Sequence, residues 1–342
     1  MVNRNHNLLS VDVEDTIKKL EEMNARKILL QLPDGLKPHA FDYFNALSAK
    51  FSVIISSDPF YGACDVGNAE IYKDVDCIVQ YGHSEIPNVK YPKPMIFQEA
   101  RNEAGVTINP GIFDILARSG FKRIGLLSSI QYMDRLAEVR KILEGLGVTV
   151  IVGMQDNRLA YPGQVLGCNF SSAHSISMDV DAYLIVSTGK FHAIGVQLST
   201  EKEVFLLDLN YLSLQSIRDE KDKFLRQRYA KLSTALDAKR FCVVFDTKIG
   251  QYRRKLADVL MKQIMDIGKE GILLSTNEVK PSDYENLRCD AVIFTGCPRV
   301  PIDDADRFSM PILTPPEFQS LFGFKKTKNY IMDEIVAVDD LN

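Results

Sequence analysis

The 342-residue sequence has little that would tie it to a membrane or a polyanion. No apolar run approaches the roughly 20 residues that a membrane-spanning helix needs. The opening stretch, Met1 to Ser10, is polar and carries no apolar core of a secretory leader. Positive charge is not in excess: 41 Lys and Arg face 45 Asp and Glu, for a formal net charge of -4. A broad electrostatic footprint for nucleic acid is therefore absent, and no direct nucleic-acid binding is expected. Tryptophan is missing, which excludes nothing. Six cysteines are present, yet no two form a CxxC pair, so there is no local zinc knuckle. Any metal site must be assembled from distant parts of the chain. These absences point to a cytoplasmic protein, in which a cysteine is more often reduced, ligated or catalytic than disulfide-bonded.

What is present is a repeat. The profile of 46% hydrophobic and 25% charged residues is that of an ordinary globular chain, long enough for two or three domains. A basic pair before an apolar strand occurs three times: Arg26-Lys27 before ILLQL, Lys122-Arg123 before IGLLS, and Lys239-Arg240 before FCVVF. A second apolar strand opening on aspartate also occurs three times, at Asp76, Asp181 and Asp290. The glycines closing those strands, Gly82, Gly189 and Gly296, recur at a constant interval of 107 residues. Internal similarity at a fixed period marks copies of one structural unit.

Within each copy strands alternate with helical patterns. In the first, Ile28–Leu32 meets the Pro33-Asp34-Gly35 turn, followed by a helix near Leu36–Ala49 and a strand near Phe51–Ser56. In the second, strand Ile124–Ser128 precedes an amphipathic stretch, Tyr132–Leu146, with Leu136, Val139, Ile142, Leu143 and Leu146 at helical spacing, then strand Val148–Val152. In the third, Phe241–Phe245 leads to a helix near Tyr252–Ile267 carrying Leu256, Val259, Leu260 and Ile264 on one face, then strand Gly271–Ser275. Apolar strands flanked by helices indicate parallel sheets covered on both faces. The expected fold class is α/β: three similar domains, each a small parallel sheet flanked by helices, over residues 1–105, 106–210 and 211–342. Ligands in such sheets bind beyond the carboxyl ends of the strands. A pseudo-threefold arrangement would turn those ends toward one centre.

The cysteines divide by context. Cys77 and Cys242 lie in apolar strands and Cys289 lies just ahead of one, the setting of a small buried hydrophobe. Cys64, Cys168 and Cys297 follow small residues, in GACD, LGCN and TGCP, where the backbone turns tightly and glycine lets a bulky group approach. Cys64 stands 12 residues before Asp76 and Cys168 stands 13 before Asp181, whereas Cys297 follows its closing glycine; His83 and Lys190 occupy that slot in the other copies. Three thiolates suit a four-iron, four-sulfur cluster with one open iron. Zinc accepts three thiolates and a water equally well, and spacing does not separate the two.

FYGACD (Phe60 to Asp65), LGCNF (Leu166 to Phe170) and TGCPRVPIDD (Thr295 to Asp304) resemble the three cysteine motifs of the archaeal diphthamide synthesis family, the 2-(3-amino-3-carboxypropyl)histidine synthases. QLPDGL, Gln31 to Leu36, resembles that family's first strand-to-helix turn, and the similarity extends over nearly the whole chain. The resemblance implies three α/β domains around a central 4Fe-4S cluster held by Cys64, Cys168 and Cys297, and a homodimer. It implies binding of S-adenosyl-L-methionine at the open iron and reduction by an external electron donor. The sulfur–γ-carbon bond then breaks, methylthioadenosine is released, and the 3-amino-3-carboxypropyl radical adds to C2 of a histidine imidazole in elongation factor 2. The sequence lacks the CxxxCxxC motif of TIM-barrel radical enzymes, as the family does.

Further candidates for the site are Gln31, Pro33 and Asp34 at the end of the first strand, and Gly62 beside Cys64. His83 follows a strand end and suits proton handling or substrate contact. Gly189, with Thr188, ends the central strand and equally permits close packing. Arg299 suits a substrate carboxylate, or an ion pair with Asp303 or Asp304. Asp65 and Asn169 suit hydrogen bonds to cluster sulfurs or helix caps. His174 and His192 read as ordinary polar contacts, and the charged run Arg218 to Arg228 as a solvated helix face. Two other readings remain: a quinolinate-synthase-like iron–sulfur enzyme, and a non-catalytic cluster-bearing subunit that needs an unlike partner.

Overall fold

The computed structural model describes residues 9–67, 69–102 and 106–339; most of the polar N-terminal stretch and the boundary expected at residue 105 lie outside them. Three parallel sheets follow one another along the chain. The first contains β2 (Lys27–Gln31), β3 (Ser52–Ile55), β4 (Cys77–Tyr81) and β5 (Met95–Gln98) in the order β3-β2-β4-β5. A small antiparallel pair, β1 (Leu9–Ser10) with β6 (Arg101–Asn102), flanks it. The second holds β7 (Arg123–Ser128), β8 (Thr149–Ile151), β9 (Ala182–Val186), β10 (Glu203–Asp208) and β11 (Ser213–Ser216), ordered β11-β10-β9-β7-β8. The third is β12 (Arg240–Asp246), β13 (Glu270–Thr276), β14 (Ala291–Phe294) and β15 (Ile312–Leu313), ordered β13-β12-β14-β15. In every sheet the strand after the basic pair lies beside the strand that opens on aspartate.

That neighbourhood explains the repeat. Asp76 accepts hydrogen bonds from the backbone N–H groups of Arg26 and Lys27 at 2.8 and 2.9 Å. Asp181 does the same to Lys122 and Arg123 at 3.0 and 2.9 Å, and Asp290 to Lys239 and Arg240 at 3.1 and 2.8 Å. The Arg123 and Arg240 guanidinium groups add ion pairs to their aspartates. Each carboxylate therefore fastens the start of one strand to the start of its neighbour and satisfies two backbone donors that have no ladder partner. These hydrogen bonds hold the carboxyls of all three aspartates below the ordinary range.

The strand interiors are almost wholly buried: Ile28, Leu30, Val79, Leu126, Leu184, Val186, Val243 and Ile293 have at most trace exposure. Each such side chain contributes about 1.5–3 kcal/mol of burial energy. α4 (Leu136–Gly145) packs Leu136, Val139 and Leu143 inward, but Leu146 lies past its end and is exposed. α8 (Arg254–Asp266) buries Ala257, Leu260 and Ile264, whereas Val259 faces solvent. One residue before Leu260 on a 100° screw, Val259 is carried off the packed stripe. The charged helix α7 (Arg218–Thr234) is solvated as expected except at Arg228, which is buried in a bidentate pair with Glu317, both bonds 2.6 Å.

Two expectations are modified. β11 pairs antiparallel with β10 through Asp208 and Ser213, so the central sheet continues beyond residue 210. Cys242 and Cys289 are buried as anticipated, but they face each other and form a disulfide with a Cα–Cα distance of 5.8 Å. β12 and β14 are adjacent parallel strands, and that pairing brings the two positions together across a separation of 47 residues. No described helix is long and apolar enough to cross a membrane.

Candidate metal centre

Cys64, Cys168 and Cys297 come from loops at the carboxyl-end side of the three sheets. Each is partly exposed, in contrast to the buried Cys77. The Cys64 loop is anchored from below by two strand-end glutamines. Gln31 and Gln80 are register partners on β2 and β4. Gln31 Nε2 donates to Val66 O at 2.7 Å, and Gln80 Nε2 donates to Gln31 Oε1 at 3.0 Å and to Asp65 O at 2.9 Å. Both are fully buried, so the loop is fixed by buried amide donors that all find acceptors there, while Gln80 Oε1 is left without a partner. Asp65 closes the turn by accepting from Gly67 N at 3.2 Å.

The third domain reaches this loop directly. Gly250 N donates to Cys64 O at 3.0 Å. Gln251 Nε2 donates to Cys64 Sγ at 3.3 Å, while its Oε1 accepts from Cys297 N at 3.0 Å. One amide therefore spans two cysteines from two domains. Gly250 has no room for a side chain, since a Cβ there would lie 2.4 Å from the Cys64 Cα.

Among the contacts that join the second domain, two lie at the Cys168 turn. A Cβ on Gly167 would sit 2.7 Å from the Phe191 ring and 3.3 Å from Arg299 Cγ, and the Arg299 guanidinium stacks on Phe191 at 3.5 Å from the ring centroid. Arg299 also pairs with Asp303 at 2.8 Å, so the ion-pair reading is realised, but its Nη1 is buried without a partner. The second contact is a C-terminal strap. Ile335 N donates to Cys168 O at 2.8 Å, Asn169 Nδ2 donates to Ile335 O at 3.3 Å, and Glu334 accepts from Phe170 N and meets His174 Nε2, at 2.8 and 2.7 Å. Asp333 binds Arg253, which donates to Thr295 O at 2.5 Å and Gly296 O at 3.0 Å, just before Cys297. Asn88 Nδ2 donates to Val336 O at 2.8 Å. The strap thus touches all three domains.

Burial dominates the electrostatics of the thiols. Burial pushes the Cys64 thiol up to about 12, with repulsion from Cys168 the next cause. Burial also raises the Cys297 thiol, and both Cys168 and Cys64 add to the shift. Bare thiolates at such a spot are costly; a bound cation offsets that cost. Among the described residues, no three His, Cys, Asp or Glu side chains converge closely enough to hold a single metal ion.

The remaining candidates are dispersed. Pro33 packs against Gly82, where a Cβ would lie 2.9 Å from its Cγ, and Gly82 requires its φ of 93°. Asp34 is exposed and pairs with Lys37 at 2.8 Å. A Cβ on Gly62 would lie 3.3 Å from Cys64 Sγ. His83 is held neutral by burial, its pKa lowered to about 4, with Nδ1 unpartnered. Gly189 donates its N–H to Asp208 at 3.0 Å. Near it a cavity of about 210 Å³ is lined by Asn102, Ser129, Tyr132, Ser187, Thr188 and His192, at the carboxyl ends of β7 and β9. Asn169 steadies its own turn, accepting from Ser171 N at 3.1 Å. Sequence reasoning missed Gln251, Gly250, Arg158, Gln80 and the strap, none of which stands in a motif.

Fold and site together define a class: an α/β protein of three sheet-bearing units in which Gln251 bridges the cysteine loops of the first and third, and a C-terminal strap binds that of the second. A family described as "Putative diphthamide synthesis protein" matches residues 32–331, and the chain belongs to that family. The 2-(3-amino-3-carboxypropyl)histidine synthase of Pyrococcus horikoshii is 30% identical over 338 residues, covering 96% of this chain and 95% of its own. The protein of the same name from Methanocaldococcus jannaschii is 26% identical over 352 residues, covering 97% and 95%. Similar in structure is Dph2 from Pyrococcus horikoshii with a 4Fe-4S cluster, with a TM-score of 0.87 and 28% identity over 98% of this chain and 96% of the other. The pseudo-threefold arrangement of three small parallel sheets is shared with that relative.

Proposed function

We propose that this protein carries out the first step of diphthamide synthesis. It transfers the 3-amino-3-carboxypropyl group of S-adenosyl-L-methionine to C2 of a histidine imidazole in elongation factor 2, by a radical route that releases methylthioadenosine. The observation that carries the reading is the set of bonds tying the three cysteine loops together: Gln251 reaches Cys64 Sγ and Cys297 N, and the C-terminal strap joins Cys168 O to Arg253 beside Cys297. The residues present fit a 4Fe-4S cluster. The donors are thiols alone, the ligand type that iron–sulfur clusters take. When bound, the cluster supplies the electron that breaks the sulfur–γ-carbon bond and an open iron for the cosubstrate.

The chain's own groups have separable tasks. Cys64, Cys168 and Cys297 hold the cluster. Gln251 orients the first and third of these, and Gln31, with Gln80, keeps the Cys64 loop rigid. Gly62 permits the turn that bears Cys64, and the tight Gly82–Pro33 contact fixes the chain just before His83. Arg299, held flat on Phe191 with Nη1 free, offers one charged donor to the cosubstrate carboxylate. His83, held neutral, offers its unpartnered Nδ1 for a hydrogen bond to the substrate. Gly189 and Asp34, each following a strand end, are further candidates for cosubstrate contact. The protein works as a cytoplasmic homodimer with an external electron donor.

The test is to purify the chain anaerobically, reduce it with dithionite, add S-adenosyl-L-methionine and identify the nucleoside released. Methylthioadenosine from a brown, iron-containing protein supports the reading, and elongation factor 2 is then assayed as acceptor. 5′-Deoxyadenosine would show a different bond being broken. No cleavage by fully iron-loaded protein would favour a partner-dependent subunit or a quinolinate-type enzyme.

A further inference from the structure

Arg158 is fully buried, the largest side chain enclosed in the molecule. Its Nη2 donates to Gly250 O at 2.6 Å, but its Nε and Nη1 have no partner. Among the described residues no carboxylate lies within ion-pair distance of it, whereas the other buried arginines, Arg228, Arg253 and Arg299, each have one. An enclosed guanidinium without a counter-charge is costly, and so persists where something anionic belongs beside it.

The position identifies that anion. Gly250, which accepts from Arg158, itself donates to Cys64 O and leaves no space for a Cβ against the Cys64 backbone. The loop bearing Arg158 is tied to the Cys168 turn: Asp156 accepts from Arg158 N at 2.9 Å and from Asn169 Nδ2 at 2.9 Å. Arg158 therefore links the second domain to the other two beside the thiols, and its charge favours the ionised form of Cys64.

We propose that Arg158 is the internal counter-charge of the thiolate-bound cluster, a positioning residue that stabilises the thiolates on assembly and the reduced cluster during turnover. This rests on the reading of Cys64, Cys168 and Cys297 as cluster ligands. A cluster with three thiolates is an anion whose negative charge grows by one electron on reduction. A fixed cation nearby therefore favours the reduced form. Even at a separation of about 10 Å and an effective dielectric of about 20, one unit charge changes a one-electron equilibrium roughly tenfold.

The experiment compares anaerobically reconstituted wild type with Arg158→Gln and Arg158→Lys, measuring bound iron and the cluster midpoint potential by electron paramagnetic resonance during reductive titration. Arg158→Gln should shift reduction about tenfold against the reduced form, about 59 mV for one electron, and load iron more slowly. Arg158→Lys keeps the charge without the fork and should hold its potential near that of the wild type. A role confined to clamping Gly250 O predicts no change of potential in either variant, and that result overturns the proposal. If Arg158→Gln fails to load, a potential in Arg158→Lys displaced by tenfold or more overturns it as well. Wild type that binds no iron, or a Cys64→Ala variant that keeps it, defeats the ligand reading instead.

Discussion

Replacing Asp333 by alanine should release the C-terminal strap from the metal centre. The Asp333 carboxylate meets Arg253 through two bonds, 3.0 Å to Nη1 and 2.6 Å to Nη2, with both side chains nearly buried. Removing one partner of such a pair leaves a charge enclosed and costs about 3–5 kcal/mol. Arg253 retains Thr295 O and Gly296 O as acceptors, which places the cost near about 3 kcal/mol. Hydrogen exchange reads this locally, because Ile335 N–H is bonded to Cys168 O two residues further along. A loss of about 3 kcal/mol corresponds to roughly a hundredfold fall in protection of that amide. Protection of Leu184 and Val243, deep in the strands, should change far less. The double variant Arg253→Leu/Asp333→Leu should recover much of the loss, since no unpaired charge remains. An Ile335 amide whose protection falls less than about tenfold in Asp333→Ala would refute the idea that this pair holds the strap.

Further outcomes follow from the same contacts. Cys64→Ala, Cys168→Ala and Cys297→Ala should each lose bound iron in anaerobic reconstitution, whereas Cys77→Ala, buried at the start of β4, should retain it; the measurement is iron per chain. Gly250→Ala puts a Cβ 2.4 Å from the Cys64 Cα and must move that loop, so iron loading should fall while far-ultraviolet circular dichroism is preserved. Asp181→Asn should lower the denaturation midpoint at pH 7. The wild-type carboxyl is held down to about 2 by the Lys122 N–H and Arg123, so its stabilisation is complete above the unfolded value of about 4 and disappears as pH falls through about 2. The two proteins should converge there, and a difference independent of pH would contradict the assignment. His174, its pKa raised by the bond to Glu334, should hold the strap fully below about pH 6.5 and progressively less as pH rises through its folded value; Ile335 exchange, corrected for intrinsic rate, reads the change.

Much of the fold was legible because its signals are local or periodic. Apolar runs gave the first strands of each copy to within a residue or two, and the repeated basic pair and aspartate marked strands that proved to be neighbours. The inner strand β10 and the edge strands β5, β11 and β15 were not read; short edges owe their existence to pairing rather than to pattern. Leu146 and Val259 were placed inward by spacing alone, but helix termination and rotation turned them to solvent.

The sequence by itself determined the threefold repeat, the α/β class and the three cysteines whose flanking small residues open the backbone. Tertiary structure alone decided how those cysteines are held. Gln251 spans Cys64 and Cys297, Arg158 lies uncompensated beside Gly250, the strap crosses all three domains, and Cys242 meets Cys289. Each of these depends on contacts between residues tens to hundreds of positions apart, made by single side chains outside any motif. Hydrophobic period specifies which face of an element is buried. It does not specify which polar group a buried face will meet; docking of the three domains settles that, because every enclosed donor and charge must find its partner there.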